Sequence, residues 1–148
     1  MVVGCGLGAD AEYLSGLGLA VTAFDVAPTA VAEAHRRHPD SAVDYRRADL
    51  LDLPSAWSGA FDLVLEVFTV QALPDPPRSS AMDAVAGLVA PGGRLVVVAF
   101  RRTDADDPAV GPPFPLTGAD LDHFRRSGLI EVALEERPGP RWLAEYRR

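Results

Sequence analysis

The chain contains no lysine and no asparagine, and all 14 of its basic residues are arginine. That bias suits GC-rich coding and carries little chemical information. A single cysteine, Cys5, excludes an intrachain disulfide and an all-cysteine metal site, and makes a reducing cytoplasm the expected compartment. No apolar run approaches the roughly 20 residues that cross a bilayer, and the N-terminus lacks a basic segment followed by a signal-type apolar stretch. A soluble protein with no membrane partner is expected. Positive charge is also scarce, since 14 cations face 21 anions for a net charge of -7. Non-specific nucleic-acid binding relies on clustered cations that release counterions, so DNA and RNA are not expected partners. His35, His38 and His123 lack the spacing of a metal site, and no metal is expected.

What is present is a composition for one folded domain over residues 1–148, with 48% apolar and 24% charged residues. The apolar opening Met1–Val3 runs into Gly4-Cys5-Gly6-Leu7-Gly8, and Ala11, Leu14 and Leu17 then recur at helical spacing over Ala9–Gly18. Leu19–Phe24 reads as a second strand and Thr29–His38 as a second helix, with Pro28 placed for its first turn. Ala42–Arg46 and Phe61–Glu66 supply two more strands. Met82, Val85, Ala86 and Val89 mark a helix over Arg78–Val89, which Pro91-Gly92-Gly93 stops before a strand at Arg94–Phe100. This alternation predicts an α/β, Rossmann-like, mainly parallel sheet with helices on both faces. A polar, Pro-rich loop follows from Arg101 to Pro115, then a helix over Thr117–Ser127. Two last strands, Ile130–Glu136 and Trp142–Tyr146, flank the turn Arg137-Pro138-Gly139-Pro140-Arg141 and predict an antiparallel C-terminal hairpin.

Chemistry is expected at the strand ends. A glycine turn between a parallel strand and a helix lets backbone approach a ligand, and Gly4, Gly6 and Gly8 provide that surface. Gly4, Gly6 and Ala9 also satisfy the spacing of a dinucleotide fingerprint, so the turn alone does not choose between ligands. Asp25 stands where a carboxylate can accept both ribose hydroxyls of an adenosine-containing ligand, and a helix N-cap is its other reading. Asp49 has two roles open to it, accepting the adenine amino group between Val26 and Leu50 or serving as a loop aspartate.

Five ordered segments, Val3-Gly4-Cys5-Gly6-Leu7-Gly8, Phe24-Asp25, Ala48-Asp49-Leu50, Phe61-Asp62-Leu63-Val64 and Ala90-Pro91-Gly92-Gly93-Arg94-Leu95, resemble successive motifs of class I methyltransferases. Glu66-Val67-Phe68-Thr69-Val70-Gln71-Ala72-Leu73-Pro74 and Gly111-Pro112-Pro113-Phe114-Pro115-Leu116 narrow the likeness to the thiopurine and thiol methyltransferase-like branch. The resemblance spans essentially the whole chain. It implies the seven-strand methyltransferase fold, S-adenosylmethionine as cofactor with S-adenosylhomocysteine as product, and methyl transfer to a small-molecule acceptor, a thiol in the narrower branch. Cofactor contacts are implied from Gly4, Cys5, Gly6, Leu7, Gly8, Asp25, Val26, Ala48, Asp49, Leu50, Glu66 and Val67.

In-line displacement at a sulfonium needs positioning more than covalent catalysis. Glu66, at the end of the fourth strand, is the weak catalytic candidate, with a solvated strand cap as its other reading. Phe68, Thr69, Gln71, Arg101 and Phe114 are expected in the substrate pocket, although Arg101 and Arg102 also read as paired surface arginines. Cys5 reads either as a thiol activated beside a helix N-terminus or as a small packed residue. Two departures from the family stand out: Val3 occupies a position where members carry an acidic residue, and their N-terminal helical segment is missing here. The second has three readings, a mis-assigned start, a trimmed chain or a natural short form whose cleft lacks its usual lid, and the short first strand leaves exposed surfaces that a homodimer would cover. A nicotinamide-dependent oxidoreductase and a non-catalytic nucleotide-binding module are the rival readings.

Overall fold

Strands buried on both sides need helices above and below them, and the computed structural model, which describes residues 1–107 and 109–148, meets that need. Pro108, inside the loop expected over Arg101–Pro115, lies outside the described residues. In chain order the elements are β1 (Val2–Val3), α1 (Ala9–Gly16), β2 (Thr22–Asp25), α2 (Pro28–Arg37), β3 (Asp44–Arg47), β4 (Phe61–Val67), α3 (Pro77–Leu88), β5 (Val89–Phe100), α4 (Gly118–Arg126), β6 (Ile130–Arg137) and β7 (Arg141–Arg147). Short 3-10 turns occupy Ser55–Trp57 and Val70–Ala72.

The strands form one seven-stranded sheet in the order β3-β2-β1-β4-β5-β7-β6. Strands β1 to β5 run parallel, and β7 enters antiparallel between β5 and β6. The expected fold class and hairpin are both present. Alternation along β1 assigns Val2 and Val3 to opposite cores, as period-2 geometry requires. Val2, Val21, Ala23 and Tyr45 pack with Ala11 of α1 and Ala34 of α2. On the other face Val3, Val64, Leu95, Val97 and Tyr146 pack with Met82 and Val85 of α3 and with Leu121 and Phe124 of α4. Helix α4 starts at a capping box in which Thr117 Oγ1 accepts from Asp120 N–H at 3.1 Å and Asp120 Oδ2 accepts from Thr117 N–H at 2.7 Å.

Several boundaries differ from expectation for physical reasons. Helix α1 stops at Gly16, and Leu17 is 62% exposed rather than part of its buried face, because Gly18 turns the chain at φ +87°. Helix α3 ends at Leu88 because Val89 adopts an extended conformation and pairs with Phe61 of β4. Pro91-Gly92-Gly93 therefore lies within β5 as an irregularity of the β4–β5 ladder, not as the helix stop. A Cβ at Gly93 would lie 2.9 to 3.1 Å from the carbonyl oxygens of Ala90, Phe61 and Asp62, so this close backbone approach requires glycine. No helix among the described residues is long and apolar enough to cross a membrane.

Candidate functional site

A cofactor cleft in an open α/β sheet belongs beyond the carboxyl ends of the strands. There β1, β2, β4 and the loop after β3 enclose a cavity of about 300 Å³, lined by Gly4, Phe24, Asp25, Val26, Ala48, Leu50, Val67, Phe68, Thr69 and Ala72. A second cavity of about 280 Å³ sits among Met1, Leu14, Leu19, Val21 and Leu63, around the amino ends of β1, β2 and β4. The two are similar in size, so their placement on the strands distinguishes them.

The glycine turn is built by three separate requirements. Gly4, at φ +61°, has its Cα against Thr69, where any side chain would collide with Thr69 Oγ1 and Cγ2. Thr69 itself is fixed there, because its hydroxyl donates to Val3 C=O at 3.0 Å. Gly8 lies over the ring of Tyr45, whose hydroxyl donates to Glu12 Oε1 at 2.6 Å and contacts Gly8 C=O at 3.4 Å. Gly6 differs from both, since at φ +53° a Cβ would meet nothing within 4 Å. Its backbone is left-handed and open, the condition for a ligand to approach the main chain closely.

Asp25 joins this turn to the next helix. Its Oδ2 accepts from Gly6 N–H at 2.9 Å and its Oδ1 from Ala27 N–H at 2.9 Å. The N-cap reading of Asp25 is corrected: Ala27 holds that position of α2, and no side chain caps the helix. Each carboxylate oxygen carries two lone-pair directions, so two acceptor positions remain on a group whose orientation is already set. Val26 is 60% exposed at the cavity edge, while Leu50 is buried against the core. Asp49 is exposed and its Oδ1 accepts Leu51 N–H at 2.9 Å, a local turn bond.

Beyond β4 the backbone is strained. Phe68 has φ 59°, and among the described residues it alone combines a side chain with a positive φ. Such a conformation costs about 1–3 kcal/mol and persists only where its surroundings enforce it. The enforcing contacts are the bond from Phe68 N–H to Val98 C=O at 2.9 Å, a stack on Phe100 with centroids 4.7 Å apart, and Glu66 beneath the turn. Glu66 is 0% exposed and does not line the cavity, so the solvated reading is corrected. Its Oε1 accepts from Thr69 N–H at 2.6 Å and Val70 N–H at 2.9 Å, while Oε2 has no partner. Burial pushes its pKa up to about 7 against the opposing effect of these two amides.

Other expected site residues lie elsewhere. Gln71 is 2% exposed, and its Oε1 accepts Phe100 N–H at 2.6 Å, so it braces the β5 end and does not line the cavity. Phe114 donates its N–H to Gln71 C=O at 2.7 Å, which ties the Pro-rich loop to the same brace. Arg101 faces the hairpin, with its guanidinium 5.9 Å from the Trp142 ring centroid and its Nε 3.5 Å from Glu136. Cys5, Gly6, Leu7 and Gly8 belong to the turn without lining the cavity, and Gly6 adjoins it through its bond to Asp25. The activated-thiol reading of Cys5 is corrected, because burial first and the Asp25 charge second raise its pKa to about 11. Phe24 and Ala72 line the cleft although their motifs gave them no assigned contact there, and the strained backbone of Phe68 had no signal in the sequence.

A family model described as a methyltransferase domain matches residues 1–97. The chain is 38% identical over 105 residues to a ubiquinone biosynthesis O-methyltransferase of Xanthomonas axonopodis pv. citri (strain 306), covering 70% of this chain and 43% of that protein. It thus spans less than half the length of that relative. The structure resembles the N-methyltransferase NodS of Bradyrhizobium japonicum, solved with S-adenosylhomocysteine, at TM-score 0.79 and 26% identity over 99% of this chain and 76% of that one. An S-adenosylmethionine-dependent methyltransferase of Mesorhizobium loti shares the fold at TM-score 0.79 and 22% identity, with 99% and 89% coverage.

Proposed function

Because this chain belongs to the methyltransferase domain family, we propose that it binds S-adenosylmethionine in the cleft at the carboxyl ends of β1, β2 and β4, and serves transfer of its methyl group to a small-molecule acceptor, with S-adenosylhomocysteine as product. The observation that carries this reading is the open, left-handed Gly6 beside the pre-set Asp25 carboxylate. The residues fit the group: a cradle with no Cβ admits the ligand chain, two free acceptor positions suit vicinal hydroxyls, and Val26 and Leu50 offer apolar surface for a purine. Once bound, the cofactor supplies a methyl group already activated on a sulfonium, so this chain has to orient the acceptor and exclude water.

A nicotinamide cofactor suits the site less well. Its pyrophosphate would meet the first turn of α1, where Asp10 and Glu12 stand and no basic residue offsets them. The antiparallel β7 also departs from the all-parallel order of dinucleotide-binding domains. Among the residues lining the cavity only Asp25 carries an ionisable side chain, and its oxygens already hold two amides. The cleft therefore offers no evident general base, which favours an acceptor that ionises by itself, as a thiol does. The segments Glu66–Pro74 and Gly111–Leu116 suggest the same acceptor. The relative's name favours a hydroxyl instead. A cytoplasmic setting fits the single free Cys5. Calorimetry with S-adenosylhomocysteine and NADH, followed by labelled methyl transfer to matched thiols and phenols, tests both points. Saturable binding of NADH and not of S-adenosylhomocysteine would overturn the reading.

A further inference from the structure

Among the described residues Glu66 is the one buried acidic side chain, and none of the roles above accounts for it. It sits in mid-sheet, in register with Val3 of β1 on one side and Val97 of β5 on the other. These neighbours and Val64 and Val70 belong to the apolar core beneath α3. Arg78, the buried cation of α3, is directed to Asp75 at 3.1 Å and Asp120 at 3.7 Å. Among the described residues, therefore, no charged partner faces the carboxyl from any element around it. An ionised carboxylate with an unpaired oxygen in such surroundings carries a large desolvation penalty, whereas a protonated one does not.

The other oxygen does have a task. Oε1 receives both Thr69 N–H and Val70 N–H, the first amides of the 3-10 turn Val70–Ala72. That turn carries Phe68 at φ 59° and places Thr69 against Gly4. The turn thus borders the cavity on one side and braces the glycine turn on the other.

We infer that Glu66 is a positioning residue for the cleft, a neutral buried carboxyl whose Oε1 holds the Phe68–Val70 turn in its strained form and presents no charge to a bound sulfonium. The part that concerns the ligand rests on the function proposed above, and the part that concerns the turn stands without it. Burial that raises the carboxyl pKa agrees with the neutral form. Protonation supplies a hydrogen on the unpartnered Oε2, and an amide at this position would be similarly uncharged, with one oxygen free to receive both N–H groups.

Glu66→Gln and Glu66→Leu separate position from charge. Amide hydrogen exchange at Thr69 and Val70 should be equally slow in the native protein and Glu66→Gln, and faster in Glu66→Leu. A native-minus-Glu66→Gln infrared difference spectrum at pH 6 should contain the carbonyl stretch of a protonated carboxyl. A carboxylate signature alone at that pH would overturn the inference. By calorimetry, Glu66→Gln should bind S-adenosylmethionine and S-adenosylhomocysteine within about twofold of the native protein. Glu66→Leu should weaken both by the same factor, about fivefold to tenfold, the scale of one or two lost hydrogen bonds. Loss of sulfonium binding alone in Glu66→Gln would show that the charge is used, and would also overturn it. Should the native protein bind neither ligand, the proposed function fails while exchange and infrared still decide the role of Glu66. Should Glu66→Leu not fold, Glu66→Gln and the spectrum decide.

Discussion

Replacing Gly6 by alanine adds one methyl group where φ is +53° and no atom stands within 4 Å of the new Cβ. The only penalty in the free protein is conformational, about 1–2 kcal/mol for a residue with a side chain held in the left-handed region. For a domain of this size 1 kcal/mol corresponds to about 2–4 °C in Tm, so a fall of roughly 2–8 °C with an otherwise intact fold is expected. Binding should suffer as well, because the methyl fills the space through which the cofactor reaches the main chain. A loss of at least about tenfold in S-adenosylhomocysteine affinity, or 1.4 kcal/mol, is the expected minimum. Gly4→Ala and Gly8→Ala serve as contrasts, since their new Cβ atoms run into Thr69 and Tyr45 and should lower Tm further. Calorimetry and thermal melts on the same preparations make the comparison. A Gly6→Ala protein that melts as expected yet binds like the native one would refute the assignment of the turn to the cofactor.

Asp25→Ala should lower S-adenosylhomocysteine affinity by about 1.5–3 kcal/mol, the range for a charge-assisted hydrogen bond, and unchanged calorimetric affinity would remove Asp25 from the site. Burial pushes the Glu66 pKa up to about 7 in the folded protein, against 4.5 for an exposed glutamate, so its stabilising contribution is complete below 4.5 and is lost as pH rises towards and through about 7. The full effect is on the order of 3 kcal/mol; urea unfolding at pH 5 and pH 8 should show this loss in the native protein and not in Glu66→Gln. The Cys5 thiol, raised from 9.0 to about 11, should react with iodoacetamide far more slowly at pH 8 than glutathione does, and equal rates would contradict its burial.

The alternation of strands and helices was legible because both periods are written in side chains that face a core, and the Pro-Gly signal at Arg137–Arg141 announced the hairpin. Asp25 was legible for a similar reason: a carboxylate at a strand end after a glycine turn has few places to go. Boundaries were less so. The β5 start at Val89 depends on its pairing with Phe61, a tertiary bond that outweighed the helical spacing of Val89 with Val85. Gln71 and Arg101 misled because residue type tells of hydrogen-bonding capacity and not of direction; one meets a backbone amide and the other the hairpin. Phe68 carried no warning at all, since aromatic residues rarely accept a positive φ. Only the contacts around it, with Phe100 and the Glu66-held turn, make that conformation possible.

Tyr45 reaches from the outermost parallel strand to the underside of Gly8, two positions across the sheet. The glycine turn is therefore not a self-sufficient local motif, and its final shape awaits the docking of a segment nearly forty residues further along the chain, given the separation of 37 between Gly8 and Tyr45. During folding, nucleotide affinity should arise only after that distant tyrosine has arrived, so ligand capture reports the completion of the whole amino-terminal half of the sheet and not the appearance of its first turn.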